Sequence, residues 1–339
     1  MKKTIILLIS MATLISCSPA KPKTEPVFTI DSTLQTKVDS ILENKLSEIN
    51  AQSGQVIIME VQTGQIKALV GLERKDSANY QSCENFAQIH ESGLIQPISI
   101  LAALETGNVR LSDTVNVGNG LYEVGGAVLK DANWQRGGYG EISIKQGLGV
   151  SSNITTVLCV QKAFPNPLDY FNQLNKMSVC KPDSIKGLKI TPCDSVFNDC
   201  TYIYYAIGYH KTTPIQMLTF YNAIANNGIM VQPQLYQDST IVINPQIASK
   251  ANIDSLKQAL QYVVTDGLGK MAHSDKSQVA GKSGTIQLAD ESYMIEFCGY
   301  FPADNPQYSI IVSINKEGLP ANGGLMAGDV FRQIIDYMN

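Results

Sequence analysis

The 339-residue sequence predicts an α+β fold. An antiparallel five-stranded sheet is covered by helices from the two ends of the chain, and a mainly helical subdomain is inserted between its strands. Three observations predict it. Apolar residues recur at helical spacing near the start of the chain, two apolar runs flank a Gly-containing turn just after them, and the chain closes on a strand meander followed by a helix.

Leu34, Val38, Ile41, Leu42, Leu46 and Ile49 give residues 31–49 one apolar helical face. Gly54 to Val61 and Ile66 to Val70 are apolar runs on either side of Gln62-Thr63-Gly64-Gln65, the pattern of a β-hairpin. Ile98 to Leu104 reads as an apolar helix stopped by Gly107, residues 110–145 as loops with short strands, and residues 147–162 as helical beyond their first turn. Pro214 to Ala225 is an apolar helix closed by Asn226-Asn227-Gly228, and Ile253 to Val264 is another. Val279 to Gln287, Met294 to Phe301 and Tyr308 to Asn315 form the meander, with a last helix from about Asp329. The helical subdomain takes in residues 92–265.

The chain opens on an export-type segment, residues 1–16. Lys2 and Lys3 precede a mostly apolar stretch, Ile5 to Ile15, too short to span a bilayer comfortably. Leu14-Ile15-Ser16-Cys17 resembles the lipobox of bacterial lipoproteins, which implies cleavage before Cys17 and acylation of that residue. An ordinary signal peptide cut after Ser18-Pro19-Ala20 is the alternative. Acyl chains would hold the protein at a membrane, since each buried methylene is worth about 0.8 kcal/mol. Residues 17–30, with Pro19, Pro22 and Pro26, read as a mobile tether to a domain of residues 31–339. That domain is expected in the cell envelope, in the periplasm or otherwise outside the cytoplasmic membrane.

With 44% hydrophobic and 17% charged residues, the domain has the means to bury a sizeable core. A net charge of −4, with no basic run after the signal, argues against nucleic acid as a partner. Besides Cys17 there are Cys83, Cys159, Cys180, Cys193, Cys200 and Cys298, which permit 15 pairings. One bridge is expected within the polar cluster Cys180, Cys193 and Cys200. Cys159 and Cys298 sit in apolar surroundings and read as buried thiols. There is no Cys-x-x-Cys and the three histidines are scattered, so the reading includes no metal and no cofactor.

Several segments, in order, carry a family resemblance: the hairpin turn at Thr63-Gly64, Gly147 to Asn153, Ala206 to Tyr209, Thr213 to Gln216, Ala225 to Gly228, Ala280 to Gln287 and Gly299 to Pro302. From about residue 34 to the end, the sequence resembles the transpeptidase domain of penicillin-binding proteins, serine acyltransferases with a β-lactamase-like fold. The resemblance implies a role in peptidoglycan synthesis, with a stem peptide or a β-lactam as ligand. It casts Ser151 as a proton relay and Asn153 as an amide contact. Lys282 and Ser283 would receive the substrate carboxylate, Gly284 would let the substrate approach closely, and the Thr285 N–H would be half of an oxyanion hole. Outside that context, Ser151 or Asn153 reads as a helix cap and Gly284 as a strand bulge.

The family's nucleophile, a serine followed three residues later by lysine at a helix start, is missing. The matching stretch is Glu91-Ser92-Gly93-Leu94-Ile95-Gln96-Pro97. Alignment on the proline puts Gln96 at the lysine and Gly93 at the serine; alignment on the glycine puts Leu94 at the serine. Ser92 is close by and is a weak candidate, but Ile95 follows it at the lysine spacing, and capping the next helix is its simpler role. Ser178 with Lys181, and Ser313 with Lys316, have the spacing in the wrong places. His90 lies two residues from Ser92, the wrong offset for facing it on a helix. In a serine hydrolase, loss of the nucleophile costs about 10⁶ in turnover.

Three readings follow. The first is a membrane-tethered, catalytically inactive transpeptidase domain that binds a stem peptide or a cell-wall synthesis partner. The second is an active acyl-serine enzyme, a D,D-transpeptidase or carboxypeptidase, with its nucleophile moved to Ser92 or Ser151. The third is a purely structural envelope lipoprotein.

Overall fold

The computed structural model describes residues 27–77, 79–193 and 202–339. The signal, Cys17 and Cys200 lie outside the described residues.

Asp31 caps the first helix, α1 (Ser32–Glu48), accepting from the amides of Thr33 and Leu34 at 2.9 and 3.0 Å. Its buried face is Leu34, Val38, Ile41, Leu42 and Leu46. Strands β1 (Ser53–Glu60) and β2 (Ile66–Arg74) form the expected hairpin, and a short β3 (Tyr80–Ser82) pairs with the end of β2. The chain then forms helices α2 (Gln96–Leu104), α3 (Ile144–Gly149), α4 (Asn153–Ala163), α5 (Pro167–Lys176), α6 (Tyr202–Ile207), α7 (Pro214–Ala225) and α8 (Lys250–Thr265). It returns to the sheet as β4 (Ala280–Gln287), β5 (Tyr293–Phe301) and β6 (Tyr308–Lys316), and ends in α9 (Gly323–Met338).

The sheet is antiparallel with order β4-β5-β6-β1-β2-β3. It has six strands rather than five, because β3 is a three-residue edge strand too short to leave a period-two signal. Both faces are buried. Along β1, Val56 and Ile58 join the cluster under α1 and α9, while Ile57 and Met59 join the core of the helical subdomain. Lys45 of α1 bonds Asp329 of α9 at 2.8 Å and locks the two covering helices together.

Several boundaries differ from the sequence reading. The helix expected across residues 147–162 is two helices, α3 and α4, with Ser151 at φ +55° between them. The last helix begins at Gly323, where Asn322 caps it, because Gly323 and Gly324 hide the apolar pattern of its first turn. Helices α5 and α6 were not foreseen. The end of the expected tether is docked: Phe28 packs edge-on against Tyr236, and Thr29 is buried and bonded to the Ile66 and Gln234 carbonyls. Cys180 and Cys193 form a disulfide, and Cys159 and Cys298 are buried free thiols. Among the described residues, no helix is long and apolar enough to cross a membrane.

Candidate active site

Three elements converge beside strand β4. Helix α2 brings Gln96, the break between α3 and α4 brings Ser151 and Asn153, and β4 itself brings Lys282. The left-handed backbone at Ser151 turns its hydroxyl inward, while Ser152, not Ser151 or Asn153, caps α4 by accepting from Thr155 N. Asp131, fully buried, fixes this turn: it accepts from Ser152 Oγ at 2.6 Å and from Ile154 N at 3.2 Å.

The four side chains form one directed chain. Lys282 Nζ donates to Ser151 Oγ at 2.8 Å and to the Ser283 carbonyl. Ser151 Oγ donates to Gln96 Oε1 at 3.1 Å, and Gln96 Nε2 donates to Asn153 Oδ1 at 2.8 Å. Lys282 is wholly buried, with no carboxylate partner among the described residues. Burial alone pushes its amine down to about 7, since the charged form has lost its water and gained no counter-charge.

Gly93 stands directly against β4. A Cβ on it would lie 3.1 Å from both Gly284 Cα and Thr285 N. A Cβ on Gly284 would in turn meet Gly93 C at 3.2 Å and Leu94 N at 3.3 Å. The β4–β5 register runs through Gly284 without interruption, so this glycine is not a bulge; it is small because the chain's own backbone presses on it. Thr285 points the other way, its hydroxyl accepting from Gly323 N at 2.9 Å.

The family model for the penicillin binding protein transpeptidase domain matches residues 54–336. The chain belongs to this family.

Among its relatives are penicillin-binding protein PbpB of Mycolicibacterium smegmatis, 24% identical over 91% of this chain and 53% of that protein, and stage V sporulation protein D of Bacillus subtilis, 24% identical over 94% of this chain and 54% of that protein. The chain spans about half the length of these curated relatives. The transpeptidase domain of penicillin-binding protein 3 from Burkholderia pseudomallei superposes with a TM-score of 0.80 at 20% identity, covering 94% of this chain and 97% of that one.

In this transpeptidase domain the sequence-identified residues Ser151, Asn153 and Lys282 do meet. Ser283 and Gly284 follow Lys282 on β4, both buried. Gly93 and Gln96, which alignment on Pro97 sets at the family's serine and lysine, lie respectively against β4 and within the hydrogen-bond chain from Lys282 to Asn153. Ser92 caps the turn before α2, accepting from Leu94 N at 3.3 Å, but it is fully buried and donates to Glu296 Oε2 at 2.6 Å. That makes it an anchor with no open side. Ser313 also donates to Glu296, and the Ser178 hydroxyl accepts from Asn244.

Glu296 was missed by sequence reasoning. It sits in the middle of β5, wholly buried, and burial pushes its carboxyl up against the opposing pull of His90, Ser92, Ser313 and the Gly93 amide. His90 Nε2 stands 3.9 Å from Glu296 Oε1, so the histidine faces the partner of Ser92 rather than Ser92 itself. His210 lies nearby, buried and stacked on Tyr205 at 4.2 Å, with neither ring nitrogen hydrogen-bonded among the described residues. The only trace of this cluster in the sequence was an acidic residue inside the apolar run Met294 to Phe301.

Proposed function

We propose that this chain is a non-acylating transpeptidase domain that serves peptidoglycan synthesis by binding a partner protein, held to a membrane by a lipid on Cys17. One observation carries the reading: the backbone at Gly93, which alignment on Pro97 would set at the nucleophile's place, closes on Gly284 and Thr285. With no hydroxyl at that position, no acyl-enzyme forms there. With the β4 edge covered at Gly284 and Lys282 buried, a stem peptide has neither a strand to pair with nor a cation to meet. A partner protein is therefore favoured over a stem peptide as the ligand. The tether and the location outside the cytoplasmic membrane rest on the Lys2 to Cys17 segment.

Intact-mass spectrometry after incubation with benzylpenicillin tests it. An unchanged mass, beside a transpeptidase control that gains the adduct, is the expected result. A stoichiometric adduct would overturn it. For the tether, Cys17→Ser is expected to move the protein from the membrane fraction to the soluble one.

A second reading has one specific observation in its favour. Lys282 Nζ lies 2.8 Å from Ser151 Oγ and has an amine near pKa 7, the requirement for a lysine acting as general base to a serine. An adduct mapped to Ser151 and lost in Ser151→Ala would establish it.

A further inference from the structure

The chain enters the described fold at Val27, and it does so beside apolar side chains left open to solvent. Val27, Phe28 and Ile241 are 56, 53 and 52% exposed. They share one surface. Residues 27–29 run as a strand along 235–237: Gln237 N donates to the Val27 carbonyl at 2.8 Å, and Thr29 N to the Leu235 carbonyl at 3.0 Å. This pairing sets the Phe28 ring edge-on against Tyr236, with 5.2 Å between centroids. Tyr236 and Ile241 in turn line a small cavity of about 90 Å³ with Pro233. Single apolar residues scattered over a surface need no explanation, but a contiguous set at the root of the domain does.

The rim of this surface is cationic. Lys186 Nζ lies 5.5 Å from the centroid of the Tyr236 ring, and the next residue, Gly187, packs against the same ring. Lys189 is exposed on that loop. Neither lysine has an ion pair among the described residues, whereas Lys181 is paired with Asp183. Asp238 is the one carboxylate lining the cavity, and it accepts from Ser239 N at 2.8 Å. Lys21 and Lys23, against Glu25, add positive charge in the nine residues between Cys17 and Val27.

Covalent reach limits what this surface meets. Ten Cα–Cα steps join Cys17 to Val27, so an acylated Cys17 keeps Val27 within about 36 Å of the headgroups. A domain of about 310 residues is roughly 50 Å across. The face bearing Val27 is therefore the one that such an anchor holds nearest the bilayer. Its chemistry suits that boundary: apolar side chains for the acyl region, a tyrosine for the headgroup level, and lysines for anionic lipid. We propose that the surface of Val27, Phe28 and Ile241 docks on an anionic lipid bilayer, with Phe28 and Ile241 among the upper acyl chains and Lys186 and Lys189 among the headgroups. The docking rests on the Cys17 tether proposed above for its place in the cell; the lipid-binding chemistry does not.

The test supplies the anchor artificially, so it does not depend on Cys17. Residues 18–339 with an N-terminal hexahistidine are held on nickel-chelating vesicles of phosphatidylglycerol and phosphatidylcholine. Phe28→Trp in a Trp134→Phe background is the reporter, and vesicles brominated near the headgroup end of the acyl chains are compared with vesicles free of bromine. Bromine is expected to cut the emission of the introduced tryptophan to about half or less. Trp134 of the wild type, the chain's single tryptophan, is expected to stay unquenched. Adding Ile241→Asp to the reporter should abolish the quenching. Adding Lys186→Glu with Lys189→Glu should reduce it, as should vesicles of phosphatidylcholine alone. Vesicle-held protein whose introduced tryptophan is not quenched would overturn the proposal, and that is the outcome if the patch serves a protein partner instead. Quenching of Trp134 as well, or quenching indifferent to Ile241→Asp or to the lysine changes, would overturn it too. The Cys17→Ser fractionation tests the tether by itself, so the two readings fail separately.

Discussion

Gly93 and Gly284 lie face to face across the groove of this transpeptidase domain, so close that a Cβ on Gly93 would stand 3.1 Å from Gly284 Cα. The chain's own turn at Gly93 and Leu94 fills the space beside Gly284. The turn is held from beneath by Ser92, whose hydroxyl is bonded to Glu296 on the neighbouring strand. On the function proposed above, the absent nucleophile and the closed groove go together. A side chain on Gly93 would crowd both Gly284 and Thr285.

Restoring the missing groups is therefore expected to fail. In Gly93→Ser with Gln96→Lys, the new Cβ crowds Gly284 and Thr285, and overpacking of this kind costs about 1–3 kcal/mol. The double variant should melt lower than the wild type and still gain no mass with benzylpenicillin. A stoichiometric adduct on the introduced serine would show that the closed groove is not the barrier.

Lys282 gives a pH signature. Its folded pKa of about 7 lies below its ordinary 10.5, so between those values the unfolded chain holds a proton that the folded chain lacks. Stability from this group therefore rises with pH across that window, by up to about 1.4 kcal/mol per unit. Lys282→Met, similar in shape and never charged, is expected to be more stable than the wild type at pH 7, and the difference should shrink by pH 8.5. Denaturant unfolding at the two pH values checks both points.

His210 has the opposite consequence on the acid side. Burial, with His90 beside it, pushes its imidazole from 6.5 down to about 3. Its contribution is complete above 6.5 and is lost as pH falls toward 3, because the unfolded chain takes the proton first. His210→Phe keeps the ring against Tyr205 and removes the proton. Between pH 6.5 and 5 the wild type should lose about 2 kcal/mol more than this variant in denaturant unfolding. Glu296 titrates in both proteins and cancels in the comparison.

The Cys180–Cys193 disulfide closes a short loop, with a sequence separation of 13. A crosslink over a loop of that size contributes about 3 kcal/mol by restricting the unfolded chain. Cys180→Ala with Cys193→Ala is expected to lower the melting temperature by several degrees. Local loosening should reach α7, since Gln216 donates to the carbonyls of Cys180 and Pro182. Calorimetry and hydrogen exchange on residues 180–193 and 213–217 measure the two effects.

The sequence by itself determined the elements whose signals are local. The apolar stripe of α1, the hairpin around Gly64 and the meander from Ala280 to Lys316 each carry their period in a short window, and the order of the motifs around Asn153 and Lys282 determined the family. It also showed the gap between Glu91 and Pro97, where no serine is followed three residues later by lysine, because a missing side chain is visible without coordinates. Only the tertiary structure decided what filled the gap. Ser92 and Glu296 are 204 residues apart, and Lys282 and Ser151 are 131 apart. No periodicity reports a bond across such a separation. Burial decided the chemistry in the same way: a lysine, a glutamate and a histidine with ordinary sequence neighbours depart from their usual proton affinities once the sheet and the helical subdomain close over them and exclude water.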